Sequence, residues 1–236
     1  MAALAAIALA SAACGGAQEP VKGPDTATEE APQREATGPK LQMTTELGSI
    51  DPRATQATFD RLEAKLNACY RAGQGRIEYL EGDAQFFLRV GQDGRTKYAY
   101  LEGSTLGDRD TEKCMLDALT SATWPKPEGG EAEVRNSIGF DAPGDVRPPV
   151  DWSADRLAEA LGKSDGKIRK CKGSVSGNFK GTAYVQPDGK HGRFQSIGMT
   201  PPNKDGIDKL DCLVDVVRDM KIPSPGSYAA KVSFIL

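Results

Sequence analysis

One feature constrains this chain more than any other: its second half repeats the landmarks of its first half in the same order. The segment Asp60–Leu66 returns as Asp155–Leu161, and the turn Asp93-Gly94 returns as Asp188-Gly189, each 95 residues later. Two cysteines and a Pro-x-Pro also recur in each half, at offsets of up to 102 residues. So many landmarks in register indicate a duplicated unit of roughly 80–90 residues, which is a whole small domain rather than a solenoid module.

Both units carry the same local pattern. Phe59, Leu62 and Leu66 lie at helical spacing, and alternating apolar runs flank Asp93-Gly94, which predicts a helix followed by a β-hairpin. A second apolar-striped helix then ends at Pro-x-Pro, and one more strand follows. We therefore predict an α+β fold with two tandem α-β-β-α-β domains, each a small three-stranded sheet with helices on one face. The predicted domains span 55–141 and 151–236, the second being a degenerate copy.

The cysteines predict one crosslink inside each domain. Each unit has one cysteine at the end of its first helix and one in the first turn of its second helix, and both helices should cover the same sheet face. Four cysteines allow three pairings. The repeat favours Cys69 with Cys114 and Cys171 with Cys212, because a domain duplicated with its bridge should keep it. We predict no metal site, since two cysteines per unit and one histidine in the chain do not fill a tetrahedral zinc site.

The N-terminus predicts export. Residues 1–13 are mostly Ala, Leu and Ile, a run too short to span a bilayer. Ser11-Ala12-Ala13-Cys14 resembles the lipobox of bacterial lipoproteins, which implies lipidation of Cys14. Lipidation would also remove the odd cysteine of the five in the chain. An ordinary signal peptide cut after Ala12 or Ala13, leaving Cys14 free, is the alternative, because Ser11 stands where the lipobox usually has Leu.

A tether is predicted between this signal, residues 1–14, and the first domain. Between Gly15 and Lys40 there is no aromatic residue, and Val21 is the only large aliphatic one. Such a segment cannot bury enough apolar surface to offset its ordering entropy. We predict a disordered tether over residues 15–54.

The sequence offers little for catalysis. His191 is the only imidazole, and a lone histidine after a turn is typically a solvated surface residue, so Ser–His and Cys–His mechanisms lack support. Phosphate-binding glycine motifs are absent, and Glu81 and Asp83 are typical of a solvated turn. Four tyrosines form either a binding face or, as we favour, packing on the strands: Tyr70, Tyr79, Tyr98 and Tyr100. We predict no enzyme activity, no cofactor and no small-molecule substrate. Thirty basic and 33 acidic residues give a net charge of −3, which argues against nucleic acid as a partner.

Several short motifs of the first unit resemble those of a known protein family. Cys69-Tyr70, Asp93-Gly94, Ser104-Thr105, Cys114-Met115 and Pro125–Gly130 together resemble the AgmX/PglI C-terminal domain, a TonB-C-terminal-like module of envelope proteins in myxobacteria and their relatives. The second copy lacks the Ser-Thr pair. The resemblance implies envelope localisation and protein contacts, with no catalytic residues to carry over.

The expected function is therefore that of a cell-envelope lipoprotein facing the periplasm, acting as an interaction or scaffold module for unidentified envelope proteins. Its sheet would accept a partner segment at an exposed edge. The outer membrane is favoured over the inner one, because Gly15 replaces the Asp associated with inner-membrane retention in some bacteria. The alternatives are a carboxylate-dependent periplasmic hydrolase and a purely structural envelope lipoprotein.

Overall fold

The computed structural model describes residues 47–236, and these contain the predicted order of helices and strands twice. Repeat 1 comprises α1 (Pro52–Gln74), β1 (Gly82–Val90), β2 (Thr96–Ser104), α2 (Arg109–Thr120) and β3 (Ala132–Phe140). Repeat 2 comprises β4 (Val150–Trp152), a 3-10 turn (Ala154–Leu157), α3 (Ala158–Lys172), β5 (Lys180–Asp188), β6 (His191–Thr200), a 3-10 segment (Lys204–Lys209), α4 (Leu210–Arg218), β7 (Ile222–Pro223) and β8 (Ala230–Ile235). The predicted α+β class is confirmed.

In repeat 1 the sheet order is β2-β1-β3, with both neighbours antiparallel to the central strand. Alternate β1 residues, among them Phe86 and Leu88, lie in a core with Leu62 and Leu66 of α1 and Met115 of α2. This is the alternation that the sequence predicted. The Asp-Gly turn between β1 and β2 depends on its glycine, because Gly94 has a φ of +79° and a Cβ there would lie 2.5 Å from the Trp124 carbonyl oxygen.

Repeat 2 has a wider sheet than the sequence predicted. Its order is β4-β8-β5-β6-β7, so a short strand covers part of each edge of the three-stranded unit. β4 runs parallel to β8, with Trp152 opposite Val232, while β7 pairs with the start of β6. These flanking strands contain three and two residues. They are too short to carry a recognisable alternation in the sequence.

Repeat 1 contains the same two flanks in reduced form. Leu47 forms a parallel bridge with Glu131 next to β3, as β4 does with β8. Thr123 forms an antiparallel bridge with Arg95 at the start of β2, as β7 does with β6. The duplication therefore extends beyond the α-β-β-α-β unit. It also places residues 47–54 within the folded part of the chain, although the sequence analysis assigned them to the tether.

Both predicted disulfides are present. Cys69 bonds Cys114 and Cys171 bonds Cys212, with Cα atoms 5.7 Å apart in each pair, an ordinary separation for a disulfide. Each bridge ties the first helix of its repeat to the second. The predicted lipidation site, Cys14, lies outside the described residues, as does most of the predicted tether. Within residues 47–236, no helix is both long and apolar enough to cross a membrane.

The two repeats pack against each other within one unit. The inner face of the repeat 2 sheet forms its own core with α3 and α4, including Val185, Phe194 and Leu213. Its outer face meets repeat 1: Tyr184 of β5 is fully buried and belongs to the core of repeat 1. A sheet with one open face would alternate buried and exposed residues, so the consecutive buried residues of β5 reflect burial on both faces.

Candidate functional site

Each repeat has a groove between the start of its first helix and the edge of its last strand. In repeat 1 the groove is flanked by Pro52 and Phe59 of the helix, and in repeat 2 by Ala154 and Leu161, which lie 102 residues later, the offset that also separates Cys69 from Cys171. In repeat 2 the flank before the first helix pairs with only Ala230–Val232 of the last strand, and in repeat 1 it bridges Glu131, the residue before β3. The unpaired remainder of that strand borders the groove. An unpaired strand edge presents N–H and C=O groups that a further strand can bind.

The repeat 2 groove is the larger and the more apolar of the two, with a volume of about 560 Å³. Along the edge of β8, β4 pairs with residues up to Val232 only, which leaves Ser233–Ile235 without a neighbour on that side. Ile235 is 62% exposed. The floor depends on Gly181, because a Cβ there would lie 2.3 Å from the Phe234 ring. The residues that line the groove include no carboxylate and a single amine: Ser104, Thr105, Ala154, Leu161, Lys180, Gly181, Thr182, Ser233, Phe234 and Ile235.

The repeat 1 groove is smaller, about 290 Å³, and its strand edge is charged. Glu133 and Arg135 form an ion pair, with 2.9 Å between Oε2 and Nη1. Arg135 also binds Glu102 and lies over the ring of Phe87. A strand added here would have to approach charged side chains that are already paired. Charged edges of this kind are a common means of discouraging strand addition.

Repeat 1 also supplies one wall of the repeat 2 groove, through Ser104 and Thr105. That wall is joined to repeat 2 by Glu112 of α2. The hydroxyl of Ser104 donates to Glu112 Oε1 at 2.7 Å, and the backbone N–H of Met199 donates to Oε2 at 3.1 Å. Gly198 makes this approach sterically possible, since a Cβ there would lie 2.4 Å from Oε1. The carboxyl group thus satisfies a backbone donor of β6 from across the repeat boundary.

Glu112 is 0% exposed, and this burial raises the pKa of its carboxyl group to about 7. The bonds from Ser104 and Met199 and the charge of Arg109 lower the pKa, but they only partly offset the burial. Asp108 raises it slightly. The contact is therefore a hydrogen-bonded carboxyl group without a direct cationic partner. Such a group favours the protonated form.

Further polar contacts between the repeats lie around Glu112. Asp211 of α4 bonds Arg109 and Lys113 of α2 at 3.0 and 2.9 Å, and the bond from Lys113 is the main reason why the pKa of Asp211 is lowered. The hydroxyl of Ser196 donates to the carbonyl of Gly107 at 2.8 Å. Gln195 bonds the hydroxyl of Tyr79. This junction combines partly exposed ion pairs with one fully buried carboxyl group, that of Glu112.

The four tyrosines separate into two groups. Tyr70 and Tyr79 are buried, and burial raises the pKa of both hydroxyls. Tyr98 and Tyr100 lie on the outer face of the repeat 1 sheet and stack around Phe87. Phe87 is itself buried by these neighbours. All four make packing contacts, but the predicted position on a strand is right only for Tyr98 and Tyr100, because Tyr70 lies in α1 and Tyr79 precedes β1. Tyr98 and Tyr100 remain partly accessible.

The remaining polar candidates do not converge on one site. His191 is exposed at the start of β6, as predicted. Glu81 and Asp83 flank the first residue of β1, and the backbone carbonyl of Glu81 accepts bonds from Lys231 at 2.9 Å and from the Tyr184 hydroxyl at 3.2 Å. Glu81 therefore contributes to the junction through its backbone. Across residues 47–236, no cluster of three or more His, Cys, Asp or Glu side chains is arranged to hold a metal ion.

Comparisons with known proteins return little. No protein-family model matches the chain. No curated protein matches it either. Among solved structures, the chain is similar to the solution structure of the Helicobacter pylori TonB C-terminal domain, residues 179–285, at 20% identity. The match covers 39% of this chain and 94% of that one, with a TM-score of 0.27. A likeness at this level does not assign a function.

Sequence reasoning missed the two grooves and Glu112. The grooves depend on where a strand edge loses its partner, which no local pattern records. Glu112 did leave a signal, because it stands three and seven residues before Met115 and Leu119 on the apolar stripe of α2. A charged residue on a buried stripe is uncommon and needs a partner. The sequence does not show that this partner is a backbone N–H of the other repeat.

Proposed function

We propose that this chain is a non-catalytic lipoprotein of the bacterial cell envelope that binds an extended segment of another envelope protein at the edge of β8. The observation that carries the proposal is the unpaired stretch Ser233–Ile235 beside an apolar groove. Main-chain bonds to a strand edge provide affinity, and pockets for alternate side chains provide specificity. The repeat 2 groove combines both features.

The chain itself contains a precedent for this mode of binding. β4 adds to the same edge of β8, pairing with Ala230–Val232, and the side chain of Trp152 packs against the core of repeat 2. The groove begins where β4 leaves the edge. A partner segment placed there would extend the row of contacts that β4 begins. Beyond Lys231, β8 carries no charged side chain that would oppose an added strand.

The lining of the groove suggests the chemistry of the partner. One apolar side chain of the added strand could pack against Leu161, Phe234 and Ile235. Lys180 is exposed at the rim and is the single charged residue in the lining. We therefore expect an extended segment in which an apolar residue lies close to an acidic one. Electrostatic complementarity of this kind contributes mainly to orientation and association rate.

The membrane location forms the second part of the proposal and is supported by the small residues before Cys14. Lipidation of that cysteine would anchor the chain in the outer membrane, with the tether placing the folded part in the periplasm. Membership in the AgmX/PglI family is supported by the paired cysteines, the Asp-Gly hairpins and Pro-x-Pro in both repeats. In the native host, a Cys14→Ser variant should leave the membrane fraction and lose the mass of the lipid. A variant that stays membrane-bound at unchanged mass would refute the anchor.

The groove is tested by selecting peptides from a random library against the folded chain and measuring their binding by NMR. The amide signals of Ser233–Ile235 should shift on binding. Ile235→Glu should weaken binding at least tenfold, because it removes an apolar contact and places a charge at the rim that repels the expected acidic residue. Leu47→Glu is the matched control, since Leu47 is also an exposed apolar residue, at 58%, but lies beside β3. Peptides that bind both variants equally, or that shift signals elsewhere, would argue against the proposal.

Two alternatives make different predictions. A carboxylate-dependent hydrolase requires accessible acidic side chains with raised pKa values. Burial raises the pKa of the Glu112 carboxyl group, but this group is fully buried and inaccessible to a substrate. A purely structural lipoprotein would select no peptide at the groove, and its deletion would alter the integrity of the envelope.

A further inference from the structure

We infer that Glu112 makes the junction between the two repeats, and with it the wall of the repeat 2 groove, sensitive to pH, so that the junction loosens as pH rises from the acid range to above neutral. This inference rests on the proposed function and adds its regulation. The geometry that supports it is a single carboxyl group bonded to both sides. Ser104 lines the groove and belongs to repeat 1, while Met199 belongs to repeat 2.

The groups that face Glu112 come from every element around it. On its own helix, Arg109 and Asp108 act with opposite sign. From β2 it meets the neutral hydroxyl of Ser104, and from β6 a backbone N–H, since the segment Ser196–Thr200 has no charged side chain. Asp211 of α4 does not contact Glu112 directly but is bonded to Arg109 and Lys113. Arg109 is therefore shared with another carboxylate and neutralises Glu112 only in part.

The sign of the effect follows from linkage. The joined repeats hold the Glu112 proton with a pKa of about 7, whereas an exposed glutamate has an ordinary value of 4.5. The joined form therefore binds the proton more tightly than the opened form. The contribution of Glu112 to the stability of the joined form is fully present below the ordinary glutamate pKa. It is lost as pH rises through the pKa that Glu112 has in the joined form. With these two values, the equilibrium constant for joining falls about 30-fold between roughly pH 5.5 and pH 8.

Two other junction contacts should not follow this pattern, and Lys231, which bonds the carbonyl of Glu81, has a pKa lowered by burial, which acts with the opposite sign. Asp211 has a lowered pKa and stays charged throughout this range, and the Ser196–Gly107 bond involves no titrating group. Each repeat also retains its own disulfide. Opening of the junction is therefore the step expected to depend on pH. Because Ser104 and Thr105 would move away from Leu161 and Phe234, the groove would lose one wall.

The test is hydrogen exchange by mass spectrometry on the folded chain between pH 5.5 and pH 8, with rates corrected for intrinsic exchange. In the wild type, protection of segments 104–112 and 195–200 should fall about 30-fold over this range, following the linkage above. Glu112→Gln is neutral at every pH and should abolish that dependence. Asp211→Asn is the control, because it removes partly exposed ion pairs of the same junction and should leave the pH dependence intact.

A flat wild-type profile, or an unchanged slope in Glu112→Gln, would overturn the inference. If Glu112→Gln does not fold, the ¹³C titration of the Glu112 carboxyl in the wild type decides: a midpoint near 7 supports the inference, and one near 4.5 refutes it. Peptide binding separates the two proposals. If peptides bind the groove with equal affinity at pH 5.5 and pH 8, the pH regulation is refuted and the proposed function stands. If the junction depends on pH but no peptide binds the groove, the proposed function is refuted and the pH dependence stands.

Discussion

Removing the disulfide of repeat 2 tests the structural basis of the fold most directly. Cys171 and Cys212 are 41 residues apart in sequence. In the chain-entropy treatment, closing a loop of that length in the unfolded chain stabilises the folded state by about 4 kcal/mol. Repeat 2 depends on this contribution more than its size suggests, because α3 buries only Ala160, Ile168 and Cys171. We expect Cys171→Ser combined with Cys212→Ser to lose about 4 kcal/mol of unfolding free energy.

The assay is urea unfolding followed by tryptophan fluorescence. The chain has two tryptophans, Trp124 in repeat 1 and Trp152 in repeat 2, so single-tryptophan variants report on each repeat separately. With a slope of about 2 kcal/mol/M, the Trp152 midpoint should fall by about 2 M. Cys171→Ala combined with Cys212→Ala is the control for the serine side chains and should show a similar shift. A loss below about 1 kcal/mol would show that the bridge does not act by restricting the unfolded chain.

Two further predictions concern the core and the turns. Tyr184→Ala should destabilise the chain by about 3–5 kcal/mol, as expected when a fully buried aromatic side chain is removed. Tyr184→Phe should destabilise it by only about 1–2 kcal/mol, because it loses the hydrogen bonds of the hydroxyl to the backbone of Glu81 but keeps the ring. Equal losses in thermal unfolding would contradict the burial of the ring in the junction. Gly94→Ala should cost more than Gly189→Ala, because both turn glycines have positive φ but only the Cβ at position 94 meets a carbonyl oxygen. The difference should be at least about 1 kcal/mol, as expected for a steric clash in a packed site, and equal melting temperatures would contradict the close approach to Trp124.

Much of the fold was predictable because its signals are local or repeated. Asp93-Gly94 and Asp188-Gly189 marked the two hairpins, and both occupy the turns expected of them. The cysteine pairing followed from the repeat, since each helix pair carried one cysteine per helix. The export signal, the lipid anchor and the partner class also came from the sequence, and they stay predictions.

The tertiary structure alone decided what happens at the edges and between the repeats. Val150–Trp152 joins the β8 edge as a three-residue strand, which is too short to show a period. Tyr184 lies on a strand face that a lone repeat would leave exposed, so its burial depends on the packing of repeat 1 against it. Glu112 finds its partner at Met199, 87 residues away. Local sequence patterns encode the elements because spacing fixes which residues share a face. Contacts between distant segments decide which strand edges remain unpaired and which charged groups are buried. These contacts arise only when both repeats are folded and packed together.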